Sequence, residues 1–158
     1  MENVEILKNI WDDSEFHKMR WHDCQIYALA FDRERFELIF DIDYLVEWTK
    51  PPAHDGSFKF WVAPATLVFK NVHSIEIESD TIDLIILNIV REALGKPANG
   101  DYINASLEYQ WTMETTSGEI TFKSIGYEQF ARKKPVLLKS QVIGLEARNG
   151  ISFNKIAY

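Results

Sequence analysis

Residues 36–48 decide the fold, and they read Phe-Glu-Leu-Ile-Phe-Asp-Ile-Asp-Tyr-Leu-Val-Glu-Trp. Apolar side chains occupy the even positions from Phe36 to Trp48, while acidic side chains recur at the odd positions. A β-strand directs alternate side chains to opposite faces, so this period of two predicts one long strand with an apolar face and an acid-rich face. The carboxylates predicted to share the acid-rich face are Glu37, Asp41, Asp43 and Glu47.

Turn signals on either side place this strand in a sheet built from hairpins. Residues 25–31 precede it as a second strand, and the polar residues 32–35 form the connection. Pro64 lies inside another strand pattern and predicts a bulge or a sheet edge, because proline lacks a backbone donor. The further segments with strand periodicity are 58–69, 74–78, 107–114, 119–123, 142–147 and 151–156. The turn at residues 116–118 predicts a second hairpin, and the Arg148-Asn149-Gly150 turn predicts a third hairpin over residues 142–156. The side chains expected in the core are Phe40, Ile42, Trp61, Phe69, Trp111 and Phe122.

Two segments carry signals of a helix. Residues 4–16 approximate helical spacing and predict a short N-terminal helix. Residues 81–94 allow a helix between a capping Asp80 and a terminating Gly95, yet the run Leu84–Val90 is rich in β-branched residues and apolar on both parities. We predict a strand there and keep the helix as the alternative. The fold class is therefore mainly β (α+β at most), as an antiparallel sandwich or open barrel with a short N-terminal helix.

Length and charge narrow the classes of partner. The 158 residues are predicted to form a single globular domain over 1–158. Lys and Arg number 17 and Asp and Glu 24, so the net charge is −7. A negative surface repels phosphate backbones, which argues against nucleic acid as a partner and suits a basic protein.

Localisation is predicted to be cytoplasmic. Cys24 is the only cysteine, so no internal disulfide can form, which fits a reducing compartment. The first residues lack the basic start and apolar run of a secretory signal. No apolar stretch reaches the length of roughly 18 residues that a membrane span needs, so no membrane partner is expected.

The dipeptide His22-Asp23 is one candidate site. Histidine acts as a base or a metal ligand, and a neighbouring carboxylate fixes its tautomer. The alternative is structural, with Asp23 capping a turn and His22 packing against Trp21. Cys24, two residues beyond His22, is expected to be a buried, inert thiol rather than a nucleophile.

The pair Asp41 and Asp43 is a second candidate. Two carboxylates about 7 Å apart on one strand face, with Glu47 further along, could bind a hard cation. The alternative is a solvated outer face that carries no ligand. The chain contains no nucleophile elbow, phosphate-binding loop, zinc-protease or dinucleotide motif. We therefore predict no catalytic residue, no bound metal and no cofactor.

Four segments together carry a resemblance to known proteins, and they are residues 21–27, residues 41–48, residues 60–72 and residues 126–135. They resemble a group of small, uncharacterised bacterial proteins with β-rich domains. The His-Asp start, the alternating acidic strand and the Phe69-Lys-Asn-Val72 segment are also similar to β-rich immunity proteins of polymorphic toxin systems. This likeness implies a β-rich domain in the bacterial cytoplasm and a toxin domain as partner. It supplies no catalytic residues.

Two functions follow from the sequence. The first is a non-enzymatic binding protein, of the immunity type, whose acidic face covers a basic protein partner such as a toxin domain. The second is a small metal-dependent enzyme centred on His22, Asp23, Asp41 and Asp43. Convergence of those four side chains in one pocket would favour the enzyme, whereas an acidic surface would favour the binding protein.

Overall fold

The computed structural model describes residues 8–50 and 56–158. Within these residues the chain forms ten β-strands, one 3₁₀ helix (Asp13–Lys18) and one α-helix, α1 (Gly100–Ile103). In chain order the strands are β1 (Ile10–Asp12), β2 (Gln25–Asp32), β3 (Glu37–Thr49), β4 (Lys59–Lys70), β5 (His73–Ser79), β6 (Leu84–Gly95), β7 (Glu108–Thr115), β8 (Gly118–Ser124), β9 (Gly126–Ala131) and β10 (Val136–Leu138).

The prediction of a mainly β, antiparallel fold is confirmed, and its form is an open sheet. The strand order is β1-β9-β4-β3-β2-β6-β7-β8-β5, and β10 pairs with β4. The link between β2 and β6 is short, because only Gln25 and Ile26 pair across it, with Ile85 and Leu84. The sheet therefore divides into a first half around β3 and β4 and a second half around β7 and β8.

The two halves pack their apolar faces together. The ring of Phe69, on β4, lies 5.0 Å from that of Trp111, on β7, and 4.6 Å from that of Phe122, on β8. Phe40 adds an edge contact to Phe69 at 5.9 Å. These four side chains and Ile42 are fully buried, as predicted. Trp61 is partly buried and lies outside the core cluster.

The predicted N-terminal helix is replaced by a strand and a short 3₁₀ helix. Residues 10–12 pair with β9, and residues 1–7 lie outside the described ranges. Asp12 caps the next turn through the backbone N–H of Ser14, in a capping box with Glu15. Strand pairing thus takes residues 10–12 from the middle of the predicted helix, and six residues form the 3₁₀ helix that follows.

Residues 84–95 form a strand, as predicted in preference to a helix. Strand β6 pairs with β7 from Ile86 to Gly95, so β-branched packing outweighs the capping signal. Pro64 lies inside β4 rather than at an edge. Strand β4 pairs with β10 up to Val62 and with β9 from Ala65, so Pro64 occupies the gap between two neighbours, where its missing N–H leaves no bond unmade.

The third predicted hairpin, over residues 142–156, is wrong. Residues 139–158, which we call the C-terminal segment, form no strand and run across the outer face of β3 and β4. The Arg148-Asn149-Gly150 turn exists, but it closes a loop through bonds from Arg148 N to Gly144 O and from Gly150 N to Leu145 O. The C-terminal segment buries the face of the first half that would otherwise meet water.

No helix in the described part of the chain is long and apolar enough to cross a membrane.

Candidate functional site

The predicted acidic face of β3 is not an exposed surface. The side chains of Asp41 and Asp43 have no exposed area, and Glu37 is partly buried beside Lys155, with which it forms an ion pair. Ile39, which shares their face, is 6% exposed. The C-terminal segment binds all three carboxylates, so the prediction of a solvated acidic ladder on β3 is wrong.

Arg148 binds both aspartates. Its guanidinium donates to both oxygens of Asp41, at 2.7 and 2.8 Å, and its Nε donates to Asp43 at 3.1 Å. It stacks on the ring of Tyr27 at 4.0 Å. Arg132 donates to Asp41 at 2.7 Å from a second direction. Charge-assisted, bidentate bonds of this kind are among the strongest in proteins. We call these five residues the Arg148 network.

The same carboxylates also hold the backbone of the C-terminal segment. Ser152 N donates to Asp41 at 2.9 Å, and Ile143 N donates to Asp43 at 2.8 Å. The hydroxyl of Tyr27 donates to Asp43 at 2.7 Å. Because two guanidinium groups and two N–H groups already use these oxygens, the Arg148 network is an internal clamp and not an open ligand site.

The bonds of this clamp lower the pKa of Asp41. Burial alone would raise the pKa, but the bonds from Arg148, from the Ser152 backbone and from Arg132 outweigh it and hold the pKa below its ordinary value. A folded-state pKa below the unfolded value of about 3.9 means that Asp41 stabilises the fold fully above that pH. That contribution is lost as the pH falls through the lower folded-state value.

Asp41→Asn is therefore expected to flatten the acid side of the stability profile. In the parent protein the free energy of unfolding should drop as the pH is lowered below about 4, and the slope should be smaller in the variant. Urea unfolding at a series of acidic pH values measures both slopes. Asp80→Asn, at an exposed position, is the matched control and should leave the slope unchanged. Equal slopes in all three proteins would contradict the assignment.

Glu47 is separated from Asp41 and Asp43 by a β-bulge. Asp43 pairs with Pro64 and Asp41 with Thr66, whereas Glu47 pairs with Trp61, because the register shifts between Leu45 and Glu47. One extra residue moves all later side chains to the other face. Glu47 is exposed and lines the cleft described below.

His22 and Asp23 contact each other, with the ring Nδ1 3.0 Å from the Asp23 carboxylate. Asp23 has φ 68°, so the chain turns sharply before β2 begins and the two side chains meet. Gln141 donates to Asp23 at 3.2 Å. The Asp23 backbone N–H donates to Ile86 O at 2.8 Å, which ties this turn to β6.

The four residues of the predicted metal centre do not converge. Among residues 8–50 and 56–158, no three His, Cys, Asp or Glu side chains are placed to hold a metal ion. His22 and Asp23 lie at the cleft, whereas Asp41 and Asp43 lie under the C-terminal segment beside two positive guanidinium groups. Cys24 is fully buried, and burial raises its pKa to about 12, so it remains a thiol at neutral pH.

A cleft of about 720 Å³ opens where the two halves of the sheet separate. Its apolar wall includes Trp21, Leu45, Val46, Trp48, Phe58 and Phe60. Its polar side chains are Arg20, His22, Asp23, Glu47, Asn88 and Gln141. The volume and the mainly apolar lining with a few polar groups are typical of a binding site. The sequence-predicted residues His22, Asp23 and Glu47 are thus brought together at this cleft.

A second feature lies on the outer face of the second half. Glu78 on β5 pairs with Glu119 on β8, and Glu119 pairs in turn with Glu114 on β7. Residues directly opposite in an antiparallel sheet point to the same side, with Cβ atoms about 5 Å apart. We call these three exposed side chains the acidic row. None of them has an ion-pair or hydrogen-bond partner for its carboxylate within the described ranges.

The acidic row and the cleft adjoin each other. Asn88 on β6 pairs with Glu114, at the end of the acidic row, and Asn88 also lines the cleft. A single surface therefore runs from the edge strand β5 across three further strands to the mouth of the cleft.

No protein-family model matches this chain, and neither does any curated protein or solved structure. The resemblance to immunity proteins stays a prediction. The geometry of the cleft and of the acidic row is the basis for assigning a function.

Sequence reasoning missed two groups of residues. Arg148 was interpreted only as part of a turn, and nothing in its local pattern indicates a partner 107 residues away. Part of the acidic row, in contrast, could have been found from the sequence. Glu114 and Glu119 flank the turn at residues 116–118, so the predicted hairpin already places them opposite each other.

Proposed function

We propose that this protein is a non-enzymatic binding protein that associates with a basic protein partner through the acidic row. The observation that carries the proposal is the alignment of Glu78, Glu119 and Glu114 across three adjacent strands without a basic neighbour. Several other acids are paired, as in Glu15 with Lys8 and Glu128 with Lys70.

An unpaired row of like charges is unfavourable for the free protein. Carboxylates directly opposite one another on a sheet repel and destabilise it. Protection of an exposed sheet edge would explain Glu78 on β5, but it does not explain Glu119 and Glu114, which lie on interior strands. Departures from local stability rules concentrate at functional surfaces. A basic partner would relieve the repulsion, so the binding energy includes the release of that strain.

The immunity type of binding is the form we propose. The net charge of −7 and the acidic row would accelerate encounter with a basic active site, because charge complementarity acts mainly on the association rate. The similarity of the first half of the chain to immunity proteins of polymorphic toxin systems makes a toxin domain the partner to test. The metal-dependent enzyme is not supported, because the oxygens of Asp41 and Asp43 bind Arg148 and Arg132 and are not available to a metal ion.

The test uses two variants with the same net charge. Glu114→Gln/Glu119→Gln removes two charges from the acidic row, and Glu34→Gln/Glu146→Gln removes two exposed charges elsewhere. The partner to use is a toxin domain, to be sought first in the gene immediately upstream. We expect the acidic-row variant to associate several-fold more slowly at low salt, and the difference to shrink well above about 0.1 M salt, where exposed charges are screened.

The stability of the same variants is the internal control. Removing two carboxylates from the acidic row should leave the free energy of unfolding unchanged or raise it by less than about 1 kcal/mol, because repulsion is removed. Slower binding would then not come from unfolding. Equal association rates for the acidic-row variant and the control variant would show that only total charge matters. No association with the toxin domain at any salt concentration would refute the immunity function.

A further inference from the structure

We propose that the cleft receives an apolar side chain of the basic partner, with a cationic side chain of the same segment lying beside it at Glu47 and the acidic row. This inference rests on the proposed function and names the segment of the partner that makes the central contact. It depends on the aromatic wall, on the charges at the rim and on the continuity of the two surfaces.

The aromatic wall is exposed although its rings are large. Trp48 is 62% exposed and Phe58 46% exposed, and their rings lie 5.8 Å apart at an angle of 37°. Together with Phe60 they present apolar area to water at the mouth of the cleft. Aromatic side chains held in a concave, mainly apolar site are the usual anchors of protein interfaces.

The rim favours a cation next to the anchor. Glu47 is exposed, and its carboxylate has no ion-pair partner in residues 8–50 and 56–158. Asp23 is paired with His22, whereas Arg20 is the one cation of the rim without a carboxylate partner in those residues. Apart from His22, the rim therefore carries one cationic side chain, Arg20, and two acidic ones, Asp23 and Glu47. The adjoining acidic row adds three further negative charges.

The cleft and the acidic row are parts of one continuous surface. Asn88 both lines the cleft and pairs with Glu114, so the acidic row ends at the cleft and one protein can contact both. Interfaces combine a central, water-excluding anchor with a polar rim. Here the acidic row supplies the charged part, and the cleft supplies the place for the anchor.

The experiment selects peptides from a phage-displayed random library on the folded protein. We expect enriched sequences to combine an aromatic or large aliphatic residue with Lys or Arg close by. A selected peptide and a copy with its basic residues replaced by Glu are then synthesised, and their affinities measured. Trp48→Ala and, separately, Phe58→Ala should weaken the selected peptide by about tenfold or more, the loss expected for an anchor contact.

Control variants distinguish binding in the cleft from nonspecific hydrophobic binding. Phe31→Ala removes an aromatic ring that is 55% exposed on β2 and does not line the cleft, and it should leave the affinity unchanged. Glu47→Gln should weaken the basic peptide and not an uncharged one. Peptides without an apolar anchor, equal binding of the charge-reversed copy, affinity unaffected by both cleft variants, or the absence of any enrichment would each overturn the inference.

The result of the peptide experiment can be distinguished from the result of the test of the proposed function. If the cleft variants have no effect on peptides while the acidic-row variant still slows association with the toxin domain, the anchor lies elsewhere and the proposed function stands. If the cleft selects anionic amphipathic peptides, Arg20 dominates the rim, and a basic segment is not its occupant.

Discussion

Arg148→Ala is expected to lower the free energy of unfolding by about 3–5 kcal/mol, because it leaves buried carboxylates without their counter-charge. Asp41 and Asp43 are fully buried, and Arg148 provides three of the bonds to their oxygens. Arg132 would remain beside Asp41, but Asp43 would keep only the Tyr27 hydroxyl and one backbone N–H. The largest local effect should be release of the C-terminal segment.

Chemical denaturation measures the overall loss, and hydrogen exchange measures the local one. Amides of residues 143 and 152, which donate to the two aspartates, should exchange much faster in the variant. Arg35→Ala, at an exposed position in the turn between β2 and β3, is the control and should change stability by no more than about 0.5 kcal/mol. A midpoint and an exchange pattern that match the parent protein would show that the network does not hold the segment.

Phe69→Ala is expected to cost about 3–5 kcal/mol, through lost burial and the cavity that remains. Phe69 is fully buried and contacts rings from both halves of the sheet, namely Phe40 on one side and Trp111 and Phe122 on the other. The few residue pairs between β2 and β6 join the halves only at one end, so this aromatic contact is a principal link between them.

The matched control is Phe31→Ala, the same substitution at a side chain that is 55% exposed. It should change the free energy of unfolding by no more than about 0.5 kcal/mol. Urea denaturation followed by tryptophan fluorescence compares the two variants, since the rings of Trp111 and Phe69 meet edge to face at 5.0 Å. Equal effects of the two substitutions would mean that the halves do not depend on this contact.

The local elements were predictable from sequence because they depend on alternation and turns within a few residues. The hairpin of β2 and β3 and the hairpin of β7 and β8 follow directly from period-two patterns that flank polar turns. Strand β6 was predictable because its residues are apolar on both parities and β-branched. The core positions Phe40 and Ile42 followed from the same alternation.

The remaining features depend on contacts that local patterns do not encode. The bulge beside Val46 adds one residue to β3 and moves Glu47 away from the face of Asp43, yet no Gly or Pro marks it. The C-terminal segment alternates like a hairpin, but its turn carries Arg148 onto two distant aspartates. The apolar residues Ile39 and Leu45 on the acidic face were the local signs that this face is not fully solvated.

The candidate site was therefore predicted in part. His22, Asp23 and Glu47 lie at the cleft, although neither their convergence nor its aromatic wall follows from their spacing. Asp41 and Asp43 were identified as unusual but assigned to the surface. Alternation states which side chains share a face of a strand, and it does not state what covers that face.

The clamp also sets an order of events during synthesis. Asp41 and Arg148 are 107 residues apart, and a ribosome needs roughly 5–20 s to add that many residues. Throughout this interval the nascent β3 carries two aspartates without their guanidinium partner. Their charge keeps its outer face hydrated and discourages premature strand association. The late arrival of residues 143–152 then covers this face, so chains on ribosomes stalled before Arg148 should carry a β3 whose two aspartates are still exposed to water.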